Sequence, residues 1–139
     1  MKEQKSAGGL VLGVGIDMVS INEIREMIHR TDRVFERHTF TPAEQAEAGQ
    51  EKDPAEYYAG RFAVKEAVFK AAAHLLEEKT FDFRVVETLR RTDGSPYVRI
   101  SSELREKFQR VGIDDILVSI SNERDMAIAI AQAVQHPPH

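Results

Sequence analysis

The sequence predicts a single α+β domain, with a largely antiparallel sheet packed on one long helix and shorter helices beside it. Three observations carry this. From Pro54 to Glu78 the chain has Gly60 as its only glycine, has no further proline and is rich in Ala, Glu and Lys. That composition favours one uninterrupted helix. Elsewhere, short runs of β-branched and aromatic residues are joined by turn sequences, which suits antiparallel pairing. Finally, 139 residues with 42% apolar and 30% charged content make one globular domain.

The elements follow in order. Leu10 to Asp17 is an apolar run closed by a carboxylate and reads as a buried strand. Ser20 and Glu23 have capping-box spacing, and Ile21, Ile24 and Ile28 recur on one face, so a helix runs from Ser20 to about Arg30. Thr41-Pro42-Ala43-Glu44 repeats the start signal for a short helix that fades near Gly49. Asp53-Pro54 opens the long helix. Phe81 to Leu89 and Tyr97 to Ile100 form a hairpin around Asp93-Gly94-Ser95. Ser102 to Arg110 is a helix stopped by Gly112. Ile116 to Ile120 and Met126 to Val134 are two further strands, turned by Glu123-Arg124-Asp125. The expected order is β-α-α-α-β-β-α-β-β over residues 10–135, with 1–9 and 136–139 as flexible ends.

Several functions are disfavoured. A formal net charge of -4 argues against nucleic-acid binding. The chain has no cysteine, which removes disulfides, thiolate metal sites and cysteine nucleophiles and fits a reducing, cytoplasmic setting. No signal peptide and no membrane-spanning run is visible, and the stretch Gly8 to Val19 is interrupted by Asp17. The five histidines are scattered without zinc-protease spacing, and there is no P-loop and no GxSxG elbow. Gly13 and Gly15 make no dinucleotide fingerprint because Met18 follows, so close backbone approach within a sheet is the simpler reading.

Two carboxylates stand out: Asp17 at the end of the first strand, and Glu66 in the middle of the long helix. Magnesium takes oxygen ligands, often only one or two protein carboxylates, leaving room for water and phosphate. Lys70 lies one helical turn beyond Glu66, where a cation can reach phosphate oxygens. Arg61 and Lys65 are also four apart, on an adjacent stripe. On spacing alone, Glu66 with Lys70 is equally an ordinary surface ion pair, and Asp17 a helix cap or turn former.

GVGIDMVSI at 13–21, FTPAE at 40–44, GRFAVKEAVFKA at 60–71, DGSPYV at 93–98 and VSISN at 118–122 together resemble the holo-acyl-carrier-protein synthases, a family of 4′-phosphopantetheinyl transferases. The resemblance spans about residues 11 to 134. It implies transfer of 4′-phosphopantetheine from coenzyme A to a serine of an apo acyl-carrier protein, releasing adenosine 3′,5′-bisphosphate. By the same resemblance, Asp17 and Glu66 would be the Mg2+ ligands and, with Lys70, the catalytic set. Arg61, Lys65, Lys70, Pro96 and Asn122 would line the coenzyme A site. A homotrimer with sites at subunit interfaces is implied too.

Three positions depart from the family pattern. Asn122 stands where histidine is usual, and asparagine carries no proton near neutral pH. After Ala71 the sequence continues as helix former instead of entering a glycine-containing loop. Glu23 replaces an arginine on the helix expected to meet an acidic carrier, although Arg25, Arg30, Arg33 and Arg37 can restore a basic face. These departures keep open an alternative: a relative that binds coenzyme A or a carrier without transfer.

Overall fold

The computed structural model describes residues 9–77, 79 and 82–138. Strand β1 (Leu10–Ser20) leads into helices α1 (Ile21–Thr31), α2 (Val34–Thr39), α3 (Pro42–Ala48) and α4 (Pro54–Leu76). A 3₁₀ turn (Phe83–Val85), β2 (Val86–Arg90), β3 (Pro96–Ile100), α5 (Ser102–Arg110), β4 (Asp115–Glu123) and β5 (Met126–Gln135) complete the chain. The expected α+β order holds, with α2 inserted. All strand pairs are antiparallel, but they divide into two sheets, β1-β5-β4 and β2-β3.

Helix starts follow the capping signals. The Ser20 hydroxyl accepts from Glu23 N–H, the Ser101 hydroxyl from Leu104 N–H, and Thr41 and Glu44 close a full capping box. Asp53 precedes α4 without capping it, since its carboxylate instead receives Arg25 at 2.7 Å. The α4 helix ends at Leu76 because Glu77 turns left-handed at φ 59°. The proposed last residue, Glu78, and Phe81, the proposed start of β2, lie outside the described residues. So do 1–8 and 139 of the expected flexible ends. Gly9 and His136 are described, and His136 N–H donates to Asp114 Oδ2 at 2.8 Å.

The core lies between α4 and the inner face of the three-stranded sheet. Ala127, Ala129, Ala131 and Ala133 of β5 and Ala63, Ala67 and Ala71 of α4 are all buried. Small residues on both sides bring helix and sheet unusually close. A Cβ on Gly13 would sit 1.9 Å from the Ala71 carbonyl oxygen, and one on Gly15 1.9 Å from that of Ala67. The two glycines thus serve contact between strand and helix, which corrects the expectation of an approach within the sheet. Val64, Val68, Val86, Leu104, Phe108, Ile113 and Ile116 fill the rest of this cluster. Burying each such side chain contributes about 1.5–3 kcal/mol. A second cluster, with Ile21, Ile24, Phe40, Tyr57 and Tyr58, seats α1 to α3 against the first half of α4. No helix among the described residues is long and apolar enough to cross a membrane.

Candidate active site

The glycine contacts fix where Asp17 falls. Between Gly13–Ala71 and Gly15–Ala67, the strand advances by two residues while the helix steps back by four. Those steps are nearly equal, about 6.6 Å of strand and about 6 Å of helix. Strand and helix therefore run antiparallel in step. Asp17 shares the inward face with both glycines, and the next step brings it level with the helical turn that carries Glu66. Lys70 closes the group. Its ammonium donates to Asp17 Oδ1 at 2.9 Å and to the Ile16 carbonyl at 3.1 Å.

The electrostatics agree with this convergence. Burial, and next the Asp17 charge, push the Glu66 carboxyl above the ordinary carboxylate range, while Lys70 draws it down more weakly. The hydrogen bond to Asp17 pushes the Lys70 ammonium up. One lysine thus offsets only part of the repulsion between two neighbouring carboxylates. Lys70 is 51% exposed and the Asp17 side chain 17%, so the group opens at the surface. Two hard oxygen donors with open positions suit a magnesium-type ion, which keeps several waters or phosphate oxygens. Such a pair is smaller than a three-ligand cluster, and none of the latter occurs among the described residues.

The other expected residues lie apart from this group. Lys65 is fully buried, and its ammonium donates to both Glu44 oxygens at 3.0 and 2.8 Å and to the Phe83 and Val86 carbonyls. It has no surface to offer coenzyme A within this chain, which corrects the sequence expectation. On a helix, Lys65 and Lys70 are five residues apart and point to different sides.

Arg61 is nearly buried. Its guanidinium lies 4.1 Å from the Tyr57 ring centroid and 3.8 Å from Glu47, and its Nε has no hydrogen-bond partner. Asn122 is exposed on β4, in the cross-strand row with Ala127 and Val19. That row is the neighbour of Asp17's own, but β5 intervenes, so the two strands are about 10 Å apart. Pro96 opens β3, and its carbonyl accepts from Arg91 within the hairpin.

Sequence reasoning passed over Glu44. It was assigned to a helix cap, which is half of its role. Oε1 accepts from Thr41 N–H at 2.9 Å, while Oε2 accepts from Thr88 N–H at 2.7 Å and from Lys65. A carboxylate fully buried by the fold leaves no local signal beyond the cap itself.

This arrangement can be set beside known proteins. Residues 13–131 match the model of the 4′-phosphopantetheinyl transferase superfamily. A holo-[acyl-carrier-protein] synthase of Desulforudis audaxviator is 37% identical over 125 residues, covering 90% of this chain and 94% of the relative. The crystal structure of the Neisseria meningitidis holo-[acyl-carrier-protein] synthase superposes with a TM-score of 0.79 at 29% identity, covering 89% of this chain and 98% of that one. A Chronobacterium ammoniagenes ACPS–CoA complex gives 0.74, also at 29% identity, covering 91% and 98%. The match takes in β1 from Gly13 on, with Asp17, and the whole of α4 and β4, so the carboxylate pair lies inside the shared domain. The chain therefore belongs to the 4′-phosphopantetheinyl transferases, and among them to the holo-acyl-carrier-protein synthase type.

Proposed function

We propose that this chain transfers 4′-phosphopantetheine from coenzyme A to a serine of an apo acyl-carrier protein, with Mg2+, releasing adenosine 3′,5′-bisphosphate. The observation that carries this reading is the convergence of Asp17, Glu66 and Lys70 at an open edge of the β1–α4 contact. The serine hydroxyl gives up its proton to water as its oxygen forms a bond to the pantetheine-side phosphorus, and the bond from that phosphorus to the bridging oxygen breaks. The bridging oxygen leaves on adenosine bisphosphate. Asp17 and Glu66 would hold the ion. When bound, magnesium neutralises pyrophosphate charge and fixes its orientation. The Lys70 ammonium, half in solvent, is placed to meet phosphate oxygens as charge builds on them.

The coenzyme A contacts are assigned to Arg61, Lys70, Pro96 and Asn122. Arg61 keeps a small exposed part, 8%, beside Tyr57 and Glu47, and only that part could meet a phosphate. Asn122 shares a sheet face with Asp17, and β3, which begins at Pro96, packs beside β4. Asn122 hydrogen-bonds its ligand without shuttling a proton. For the acidic carrier, α1 and α2 offer exposed Arg30, Arg33 and Arg37, while Arg25 is already paired with Asp53.

We also propose a homotrimer. The outer sheet face exposes Val14, Ile16 and Met18 of β1, Leu117 of β4 and Ile130 of β5. Cross-strand pairing lines these up as Leu117–Gln132–Val14 and Ser119–Ile130–Ile16, an apolar patch on β1 and β5 with polar Gln132 and Ser119 toward β4. A patch of this kind favours burial against another copy.

Intact-mass spectrometry tests the reading. Incubation with coenzyme A, Mg2+ and an apo carrier should add one phosphopantetheine to the carrier. Unmodified carriers across a panel, with coenzyme A still bound, would support the non-transferring alternative.

A further inference from the structure

We propose that the buried Glu44–Lys65 pair is a positioning device: it fixes the rotation of α4 about its own axis and so holds Glu66 against Asp17. The proposal rests on the reading of Asp17 and Glu66 as ligands of one divalent ion.

The need for such a device comes from the β1–α4 contact itself. On the helix side it is Ala63, Ala67 and Ala71, and on the strand side Gly13 and Gly15. Helix orientation is ordinarily set by side-chain ridges seated in grooves. Methyl groups against bare backbone give close approach but resist turning less than ridges do, so the rotation of α4 is held from its other faces, where Val64, Val68 and Lys65 are buried. Glu66 lies on the same helical stretch as Lys70, whose ammonium reaches Asp17 Oδ1 at 2.9 Å. A modest rotation would carry Glu66 away into solvent.

Lys65 opposes that rotation. It is the residue before Glu66, and consecutive helical positions differ by about 100°. Any restraint on the direction of Lys65 is therefore a restraint on Glu66. Lys65 is held by acceptors on three other elements: the Glu44 carboxylate of α3, the Phe83 carbonyl of the 3₁₀ turn and the Val86 carbonyl of β2. Glu44 is itself fixed, by Thr41 N–H on its own helix and by Thr88 N–H on β2. Neither side chain has exposed surface. Filling the same space with apolar atoms would stabilise the core as well or better. What an apolar pair cannot supply is a directed set of bonds that only one helix rotation satisfies.

The test separates direction from stability. Glu44→Gln and Lys65→Met are made singly and together and compared with wild type and Glu66→Gln. Melting temperature and Mn2+ affinity by electron paramagnetic resonance are read for each, the latter well below every transition. Each single variant should melt lower: Glu44→Gln leaves the buried Lys65 charge uncompensated, and Lys65→Met leaves the Glu44 carboxylate and the Phe83 and Val86 carbonyls without their donor. The double variant removes the unpaired buried charge and should melt above Lys65→Met, though below wild type because the Phe83 and Val86 carbonyls lose their donor, yet bind Mn2+ at least tenfold more weakly than wild type, with kcat reduced and KM for coenzyme A little changed. A double variant that melts above Lys65→Met and has wild-type Mn2+ affinity overturns the proposal. If the double variant stays unstable, Glu44→Gln decides at low temperature: weakened Mn2+ binding supports positioning, and unchanged binding overturns it. Glu66→Gln is the separate control. If it binds Mn2+ as wild type does, the metal reading itself falls, and the proposal with it.

Discussion

The Lys70 ammonium sits 2.9 Å from Asp17 Oδ1, so the carboxylate on β1 already holds a cation. A divalent ion entering between Asp17 and Glu66 has to compete with it. Lys70→Met is therefore expected to tighten Mn2+ binding several-fold, by about 0.5–1 kcal/mol, the scale of an exposed ion pair. The same change should slow transfer by about 100-fold or more, because a donor to the developing phosphate charge is gone. Calorimetric Mn2+ titration beside single-turnover carrier loading reads both effects, and weaker ion binding would count against competition.

Glu66 is held in a place that suits an ion better than it suits the fold. Burial and Asp17 raise its carboxyl above the ordinary 4.5. A carboxyl raised on folding contributes stability below its unfolded value and loses that contribution as pH rises through the folded one. Glu66→Gln should thus be as stable as wild type or slightly more stable at pH 7. It should also lose part of the stability gain that wild type shows on mild acidification just above 4.5. Chemical denaturation across that window measures the slope. Loss of activity with stability retained is the pattern of a residue kept for function.

Gly15→Ala tests the strand–helix contact. Its Cβ would meet the Ala67 carbonyl at 1.9 Å, a backbone atom that cannot move without the helix. Overpacking of this kind costs about 1–3 kcal/mol, and this case belongs at the upper end. Thermal denaturation should show the loss, and any folded fraction should bind Mn2+ poorly because α4 has been pushed from Asp17.

On the outer face, Ile16→Glu places a charge in the middle of the exposed apolar patch, where Ile16 is 59% exposed. Sedimentation velocity should find a trimer for wild type and a smaller species for the variant. The chain's own fold should persist, since this side chain leaves the core untouched.

Much of this architecture was legible locally. Ser20, Thr41 and the Ser102–Arg110 segment announced helices through caps and periodicity, and each was found within a residue or two. The helix Val34–Thr39 was not legible. It is opened by Arg33 in a left-handed conformation at φ 75°, without a side-chain cap, and has only six residues. Strand β1 outruns its apolar segment because Asp17, Met18 and Val19 go on pairing with β5, a partner more than a hundred residues away in sequence. At the site, Asp17, Glu66 and Lys70 were readable as chemistry. Lys65, read with Arg61 as a coenzyme A-lining residue on the adjacent stripe, is instead buried. What holds Lys65 inside is Glu44, which reaches it only through tertiary packing.

Sharing of one divalent ion by Asp17 and Glu66 is tested most directly by an Mn2+ titration followed by electron paramagnetic resonance. Wild type should bind one ion per chain, and Asp17→Asn and Glu66→Gln should each abolish or strongly weaken that binding while remaining folded. Undiminished binding by either folded variant would contradict it.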